Sequence, residues 1–267
     1  MIDLNSATES ITKLIRPLGQ NVYNNVNQMV IAKEYDHGAD VSTNFDQELE
    51  RAIFEFVEKN YPNTGFQGEE NPELTKQAEY MWFVDPIDGT KWFKNNVPLW
   101  CISIALVRKE DRSPVLGIIY NPSADQMYSA YLDGGAYLNG KKLAITAEAD
   151  PLKVQLALDL TSHRYDWEQH KNFLSQSVIQ LIQKYYRVRM IGSGALSLAW
   201  LAQGMFGAFV NPYRHESELL DTAAGMILAT EAGAKIWKKD IGKELEQMVI
   251  GNQHMLDTIV PLIELNT

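Results

Sequence analysis

The stretch Trp82-Phe83-Val84-Asp85-Pro86-Ile87-Asp88-Gly89-Thr90 constrains this chain more than any other. The run from Tyr80 to Val84 is apolar, aromatic and β-branched, a composition that suits a buried strand. Asp85-Pro86 reads as its end, because proline fixes φ and has no N–H to give to a ladder. Asp88-Gly89 is a second turn signal. Asp85 and Asp88 can then converge while Ile87 presents its carbonyl. Thr90 is placed to cap whatever follows, and a helix starting there would aim free N–H groups at an anion. Carboxylate and carbonyl oxygens suit Mg²⁺, Ca²⁺ or Mn²⁺ rather than softer ions. Such oxygens beside an anion site suggest phosphate chemistry. On these residues alone, a capped turn with no ligand stays open.

Other acidic elements bear on the choice. Gly68-Glu69-Glu70 follows an expected strand around residues 64–67, and alone it reads as a solvated loop. Asp221-Thr222-Ala223-Ala224-Gly225 opens an apolar run through Ala232, where Asp221 alone reads as a helix N-cap. Thr43 with Asp46 has the spacing of a capping box, which explains Asp46 without catalysis.

Together, in this order and spacing, the elements resemble the inositol monophosphatase family of metal-dependent, lithium-sensitive phosphatases. The resemblance rests on Gly68-Glu69-Glu70, Asp85 to Thr90, and Asp221 to Gly225, and it runs from about residue 5 to the C-terminus. It implies an α+β fold, a layered αβαβα sandwich, with an N-terminal α+β half (about 1–150) and a C-terminal α/β half (about 151–267). It implies that Glu69, Asp85 and the Ile87 carbonyl hold a first metal, and that Asp85, Asp88 and Asp221 hold a second. Glu69 and Thr90 match the pair that orients the attacking water, and Asp46 matches an acid supporting that threonine. Gly89 and Thr90 are expected to offer backbone N–H groups to phosphate. Gly192 and Ser193, in a glycine turn before an expected buried helix, are further candidates for substrate contact.

The implied cofactor is Mg²⁺, as two or three ions, with Mn²⁺ a substitute and Li⁺ and Ca²⁺ inhibitory. A metal ion can lower the pKa of water and neutralise a leaving oxygen, so no covalent phosphoenzyme is needed. The chain departs from the family pattern at Leu220, where tryptophan is usual, and in a longer segment over residues 211–219. The acid that contacts inositol hydroxyls there has no secure counterpart, and Asn211 and Glu218 are the candidates. Lys91 and the Asp221 element also resemble phosphatases of phosphoadenosine phosphate, and Val97 to Trp100 resembles histidinol-phosphate phosphatases. The substrate class is thus a small phosphorylated metabolite, with inositol monophosphate or a related polyol or sugar phosphate first. Fructose 1,6-bisphosphate is a further alternative. A non-catalytic phosphometabolite-binding regulator is the reading from another class, opposed by the presence of both Glu69 and Thr90.

Net charge is −10, which opposes generic nucleic-acid and anionic-membrane binding. The single cysteine, Cys101, excludes an internal disulfide and a zinc cysteine cluster, and it reads as a core residue. No leader pattern and no membrane-length apolar run are apparent, so a cytoplasmic enzyme is expected, as a homodimer by family resemblance. The five histidines lack metal-ligand spacing; His163, Arg214 and His215 are candidate substrate contacts, and Lys238-Lys239 reads as a solvated turn.

Helices are expected from Ser6, capped with Glu9 and interrupted at Pro17, and over residues 45–60, 166–185, 195–202, 221–232 and 254–265. Strands are expected over residues 80–84, 100–107, 115–120, 126–131, 154–160 and 187–190, with hairpin turns at Asp133 to Gly135 and Asn139-Gly140.

Overall fold

The computed structural model describes residues 2–35, 40–71, 75–160, 167–215 and 219–264. Helix α1 (Leu4–Asn24) starts two residues before Ser6, because Asp3 is the cap and accepts from the Ser6 N–H. It runs on through Pro17, burying Ile11, Ile15 and Val22 on one stripe. Packing of that stripe outweighs the hydrogen bond that proline removes. Strands β1 (Ile31–Tyr35) and β2 (Asp40–Thr43) pair antiparallel and lead into α2 (Asn44–Asn60). The capping box at Thr43 and Asp46 forms: the Asp46 carboxylate accepts from the Thr43 N–H at 2.8 Å and from its hydroxyl.

The larger sheet has β3 (Gly65–Gly68), β4 (Tyr80–Asp88), β5 (Cys101–Arg108), β6 (Ser113–Asn121), β7 (Gln126–Tyr131), β8 (Gly135–Leu138) and β9 (Lys141–Lys142) in chain order. Among its described strand pairs only β3–β4 is parallel. The short helix α3 (Thr90–Lys94) follows β4. In β5, Ile102, Ile104 and Leu106 face α1 and α2, while Cys101, Ala105 and Val107 face the opposite core. A strand buried on both faces reads as one apolar run, which is why β5 was legible.

The smaller sheet has the order β11-β10-β12-β14-β13. Its strands are β10 (Gln155–Leu158), β11 (Arg187–Arg189), β12 (Ala208–His215), β13 (Lys235–Gly242) and β14 (Leu245–Gly251). Helices α5 (Gly194–Ala202) and α6 (Leu219–Glu231) fill the space between the sheets, and α4 (Trp167–Lys184) and α7 (Gln253–Ile263) cover the outer face. The result is the expected αβαβα sandwich. The middle layer is thin because Gly225 lets α6 approach α5; a Cβ there would lie 2.3 Å from that of Leu198.

Lys238 and Lys239 lie on β13 rather than in a turn, and each pairs with an acid, Glu246 at 3.3 Å and Glu264 at 3.0 Å. Among the described residues no helix is long and apolar enough to cross a membrane.

Candidate active site

β4 does not stop at Val84. It continues through Pro86 to Asp88, with a break in register against β5 between Asp85 and Asp88. Asp85 pairs with Ser103 and Asp88 with Cys101, so β4 has two residues between the acids where β5 has one. This is a β-bulge, a place where a proline without an N–H is tolerated. The consequence is chemical. In a regular strand Asp85 and Asp88 would point to opposite faces. The extra residue puts both on the face toward α5 and α6, while Ile87 packs with Val84 on the other side.

Gly89 follows with φ of +92°, and a Cβ there would lie 2.7 Å from the Leu99 carbonyl. Gly89, not Thr90, is the N-cap of α3; Thr90 is the first helical residue, and its hydroxyl donates to the Ile87 carbonyl at 2.9 Å. Asp46 and Thr90 are not hydrogen-bonded to each other, because Asp46 is engaged by Thr43. The start of α2 still reaches this corner, since Phe45 meets Phe93 of α3 edge to face.

Glu69 is positioned by a residue that sequence reasoning missed. Glu50 on α2 is fully buried, and its carboxylate accepts from the N–H groups of Glu70 at 2.8 Å and Asn71 at 2.7 Å. Gly68 makes room, since a Cβ there would fall 2.2 Å from the Glu50 carboxyl carbon. Glu70 turns away from the site and accepts from the Ser42 hydroxyl at 2.5 Å.

From the other sheet, the N-terminus of α5 closes on Asp88. The Ser193 hydroxyl donates to Asp88 Oδ2 at 2.7 Å and the Ala195 N–H donates to the same oxygen at 2.8 Å. Ser193 is therefore turned to a carboxylate of the site, with its own oxygen also capping Leu196 N–H. Trp92 Nε1 donates to the Ile191 carbonyl at 2.7 Å, a second tie between α3 and this turn. Asp221 is the third residue of α6, not its cap.

These elements enclose a cavity of about 300 Å³. Glu69, Asp85, Ile87, Asp88, Gly89, Thr90, Lys91, Gly192, Asn211 and Asp221 all line it, together with Asp159 and Leu160, which the sequence did not single out. Arg214 does not line it. That side chain is 2% exposed, paired with Glu246, and donates to Thr222 Oγ1 at 2.8 Å, which fixes the residue after Asp221. His215 lies 3.4 Å from Glu244. His163 and Glu218 fall outside the described residues.

The acids are electrostatically crowded. Desolvation raises the Asp85 carboxyl well above its usual range, and repulsion from Glu69, Asp88 and Asp221 adds to it. Desolvation brings Asp88 to about 6 even against the donors Ser193 and Ala195. Glu69 is open to the cavity, yet surrounding protein still desolvates it; with Glu70, Asp46 and Asp88 nearby it is pushed up to about 7, against a hydrogen bond with Asp85. Desolvation also lifts Asp46 to about 7. Among the described residues no three acidic, histidine or cysteine side chains are drawn into a closed cation cage. Glu69 bonds to Asp85, and Asp88 is held by α5. The donors nonetheless fit a hard divalent cation: they are carboxylate and carbonyl oxygens, and positive charge would relieve the desolvation and repulsion that raise Glu69, Asp85 and Asp88.

A layered sandwich with acidic, all-oxygen donors between its sheets has the chemistry to take a hard cation. The chain belongs to the inositol monophosphatase family, whose model matches residues 3–256. Members of this family are metal-dependent phosphatases that hydrolyse phosphomonoesters, and this chain is an enzyme of that class. It is 32% identical to an inositol-1-monophosphatase of Rhizobium meliloti over 233 residues, covering 85% of this chain and 84% of that one. In fold it is similar to the Thermotoga maritima IMPase, with a TM-score of 0.81 at 23% identity over 97% and 96% of the two chains. It is also similar to a dual specific IMPase/NADP phosphatase bound with D-inositol-1-phosphate, with a TM-score of 0.77 at 20% identity over 99% and 98%.

Proposed function

We propose that this protein is a Mg²⁺-dependent phosphomonoesterase acting on inositol monophosphate or a related polyol or sugar phosphate. The observation that carries the reading is the bulge in β4, which turns Asp85 and Asp88 to one face and into the cavity lined by Glu69, Thr90 and Asp221. Glu69, Asp85 and the Ile87 carbonyl would hold one ion, and Asp85, Asp88 and Asp221 a second. Bound there, Mg²⁺ supplies charge neutralisation and an acidified water.

The protein groups do the rest. Glu69 and the Thr90 hydroxyl, at the cavity wall, orient the attacking water, and Glu69 takes its proton. Gly89 and Thr90 present backbone N–H groups to the phosphate oxygens. Asp46, bonded to Thr43 at the start of α2, is assigned as the acid supporting Thr90 on the family resemblance alone. Gly192 and Asn211 line the opposite wall, where the alcohol of the substrate would lie. Ser193 acts through Asp88. Mn²⁺ is expected to substitute for Mg²⁺, with Li⁺ and Ca²⁺ inhibiting. A cytoplasmic homodimer belongs to the same reading, on the family resemblance.

Lys91 favours a second reading. It is the one cation among the described lining residues, and it suits a substrate with a further anionic group, such as phosphoadenosine phosphate or fructose 1,6-bisphosphate. A panel of these two with inositol 1-phosphate and histidinol phosphate separates the readings, each assayed for phosphate release with Mg²⁺, with EDTA and with added Li⁺. Metal-dependent, Li⁺-sensitive release favouring inositol 1-phosphate is expected. Folded protein that releases phosphate from none of them would overturn the preferred substrates.

A further inference from the structure

Ser103 is fully buried on β5 as the direct partner of Asp85, and its hydroxyl has no hydrogen-bond partner. Side chains of directly opposed antiparallel residues leave the sheet on the same face, with Cβ atoms about 4.5–5.5 Å apart. The next pair along shows this directly: Cys101, opposite Asp88, has its Sγ 3.8 Å from Asp88 Oδ2. Ser103 therefore stands beside Asp85 on the face that carries the cavity acids.

Packing does not call for a hydroxyl here. The same row of β5 is filled by Cys101 and Ala105, and alanine at residue 103 would spare the cost of a buried, unsatisfied polar atom. Asp85 supplies a reason for it. Asp85 Oδ1 accepts from the Ile87 N–H at 3.0 Å, and the carboxyl shares a hydrogen bond with Glu69. An ionised carboxylate is acceptor-only and has room for more donors than these. If Glu69 and Asp85 both served as cation ligands, the hydrogen bond they share would be lost and Asp85 would have room for a donor from the protein side. Carboxylates that ligate metals are characteristically held by such outer partners.

Resting on the reading of Asp85 as a cation ligand, we propose that Ser103 is a positioning residue whose hydroxyl donates to the Asp85 carboxylate in the cation-bound protein. The buried, unpartnered hydroxyl beside Asp85 is then a donor reserved for that carboxylate.

The test is Mg²⁺ binding by isothermal titration at pH 7.5, paired with thermal unfolding of the metal-free protein, for wild type, Ser103→Ala, Ser103→Cys and Asp85→Asn. Ser103→Ala is expected to melt at the wild-type temperature or above without metal, yet to bind Mg²⁺ about tenfold more weakly. Ser103→Cys keeps the volume and offers only a weak S–H donor, so the same loss is expected. Wild-type Mg²⁺ affinity in both Ser103 variants would overturn the proposal. So would a drop in metal-free stability that accompanies the loss of affinity, because the hydroxyl would then serve the fold itself. If Asp85→Asn binds Mg²⁺ as wild type does, the reading of Asp85 fails and this proposal falls with it.

Discussion

The Ser193 hydroxyl donates to Asp88 Oδ2 at 2.7 Å, so the cap of a helix in the middle layer holds a carboxylate delivered by the larger sheet. Ser193→Ala removes this bond and the cap on α5 together. Stability is expected to fall by about 1–2 kcal/mol, read by urea unfolding. Mg²⁺ affinity is expected to fall about tenfold or more, because Asp88 loses the donor that aims it. A stability loss with unchanged Mg²⁺ affinity would reduce Ser193 to a helix cap.

The reach of the sequence stops at relationships of this kind. The acids of the site were legible because Asp85, Asp88, Glu69 and Asp221 sit in local patterns. Ser193 was read as a substrate contact, since its partner lies 105 residues away. Glu50 looked like any helix acid, and only the fold brings it beneath Gly68. Pro86 read as the end of a strand because proline usually is, and the bulge that accommodates it is a property of two paired strands. β12, with Pro212 inside it, and β13, rich in lysine, showed no clear alternation and were not anticipated. The five-layer order came from family resemblance; composition and periodicity alone reached only a mixed α and β fold.

Glu50 is the support of the Glu69 loop. Glu50→Ala leaves the buried N–H groups of Glu70 and Asn71 without their acceptor. The expected cost is about 3 kcal/mol by chemical unfolding, with a fall in turnover as Glu69 loses its placement. Gly68→Ala should show a similar phenotype, because its Cβ would collide with the Glu50 carboxylate. Stability within 0.5 kcal/mol of wild type for both, about the scatter of neutral surface changes, would contradict this account.

The metal-free protein should lose stability as pH rises. Asp46 and Glu69 are raised to about 7 and Asp88 to about 6, from ordinary values of 3.8, 4.5 and 3.8. A raised acid holds its proton more tightly when folded, so its contribution is complete below the unfolded value and is lost as pH climbs through the folded one. The window is therefore about pH 4 to 7. Melting temperatures in EDTA should fall across it, and the stabilisation by Mg²⁺ should grow over the same range as protons are displaced. An Mg²⁺ effect independent of pH would mean that the cation binds away from these acids.

Arg214 fixes the first turn of α6 through Thr222. Arg214→Met leaves Glu246 short of its buried partner and frees the turn that carries Asp221. Since Glu246 keeps Lys238 at 3.3 Å, a loss of about 1–2 kcal/mol is expected by thermal or chemical unfolding, with weakened Mg²⁺ binding. Unchanged stability would show that the pair contributes nothing net.

The most direct measurement is phosphate release from inositol 1-phosphate by wild type and Glu69→Gln, side by side, with Mg²⁺ and with EDTA. Wild type should turn over only with Mg²⁺. Glu69→Gln should lose about 10²–10⁴-fold in rate while staying folded and still binding the substrate. Equal turnover by the two proteins, or release unaffected by EDTA, would contradict the assignment of this cavity as the catalytic centre.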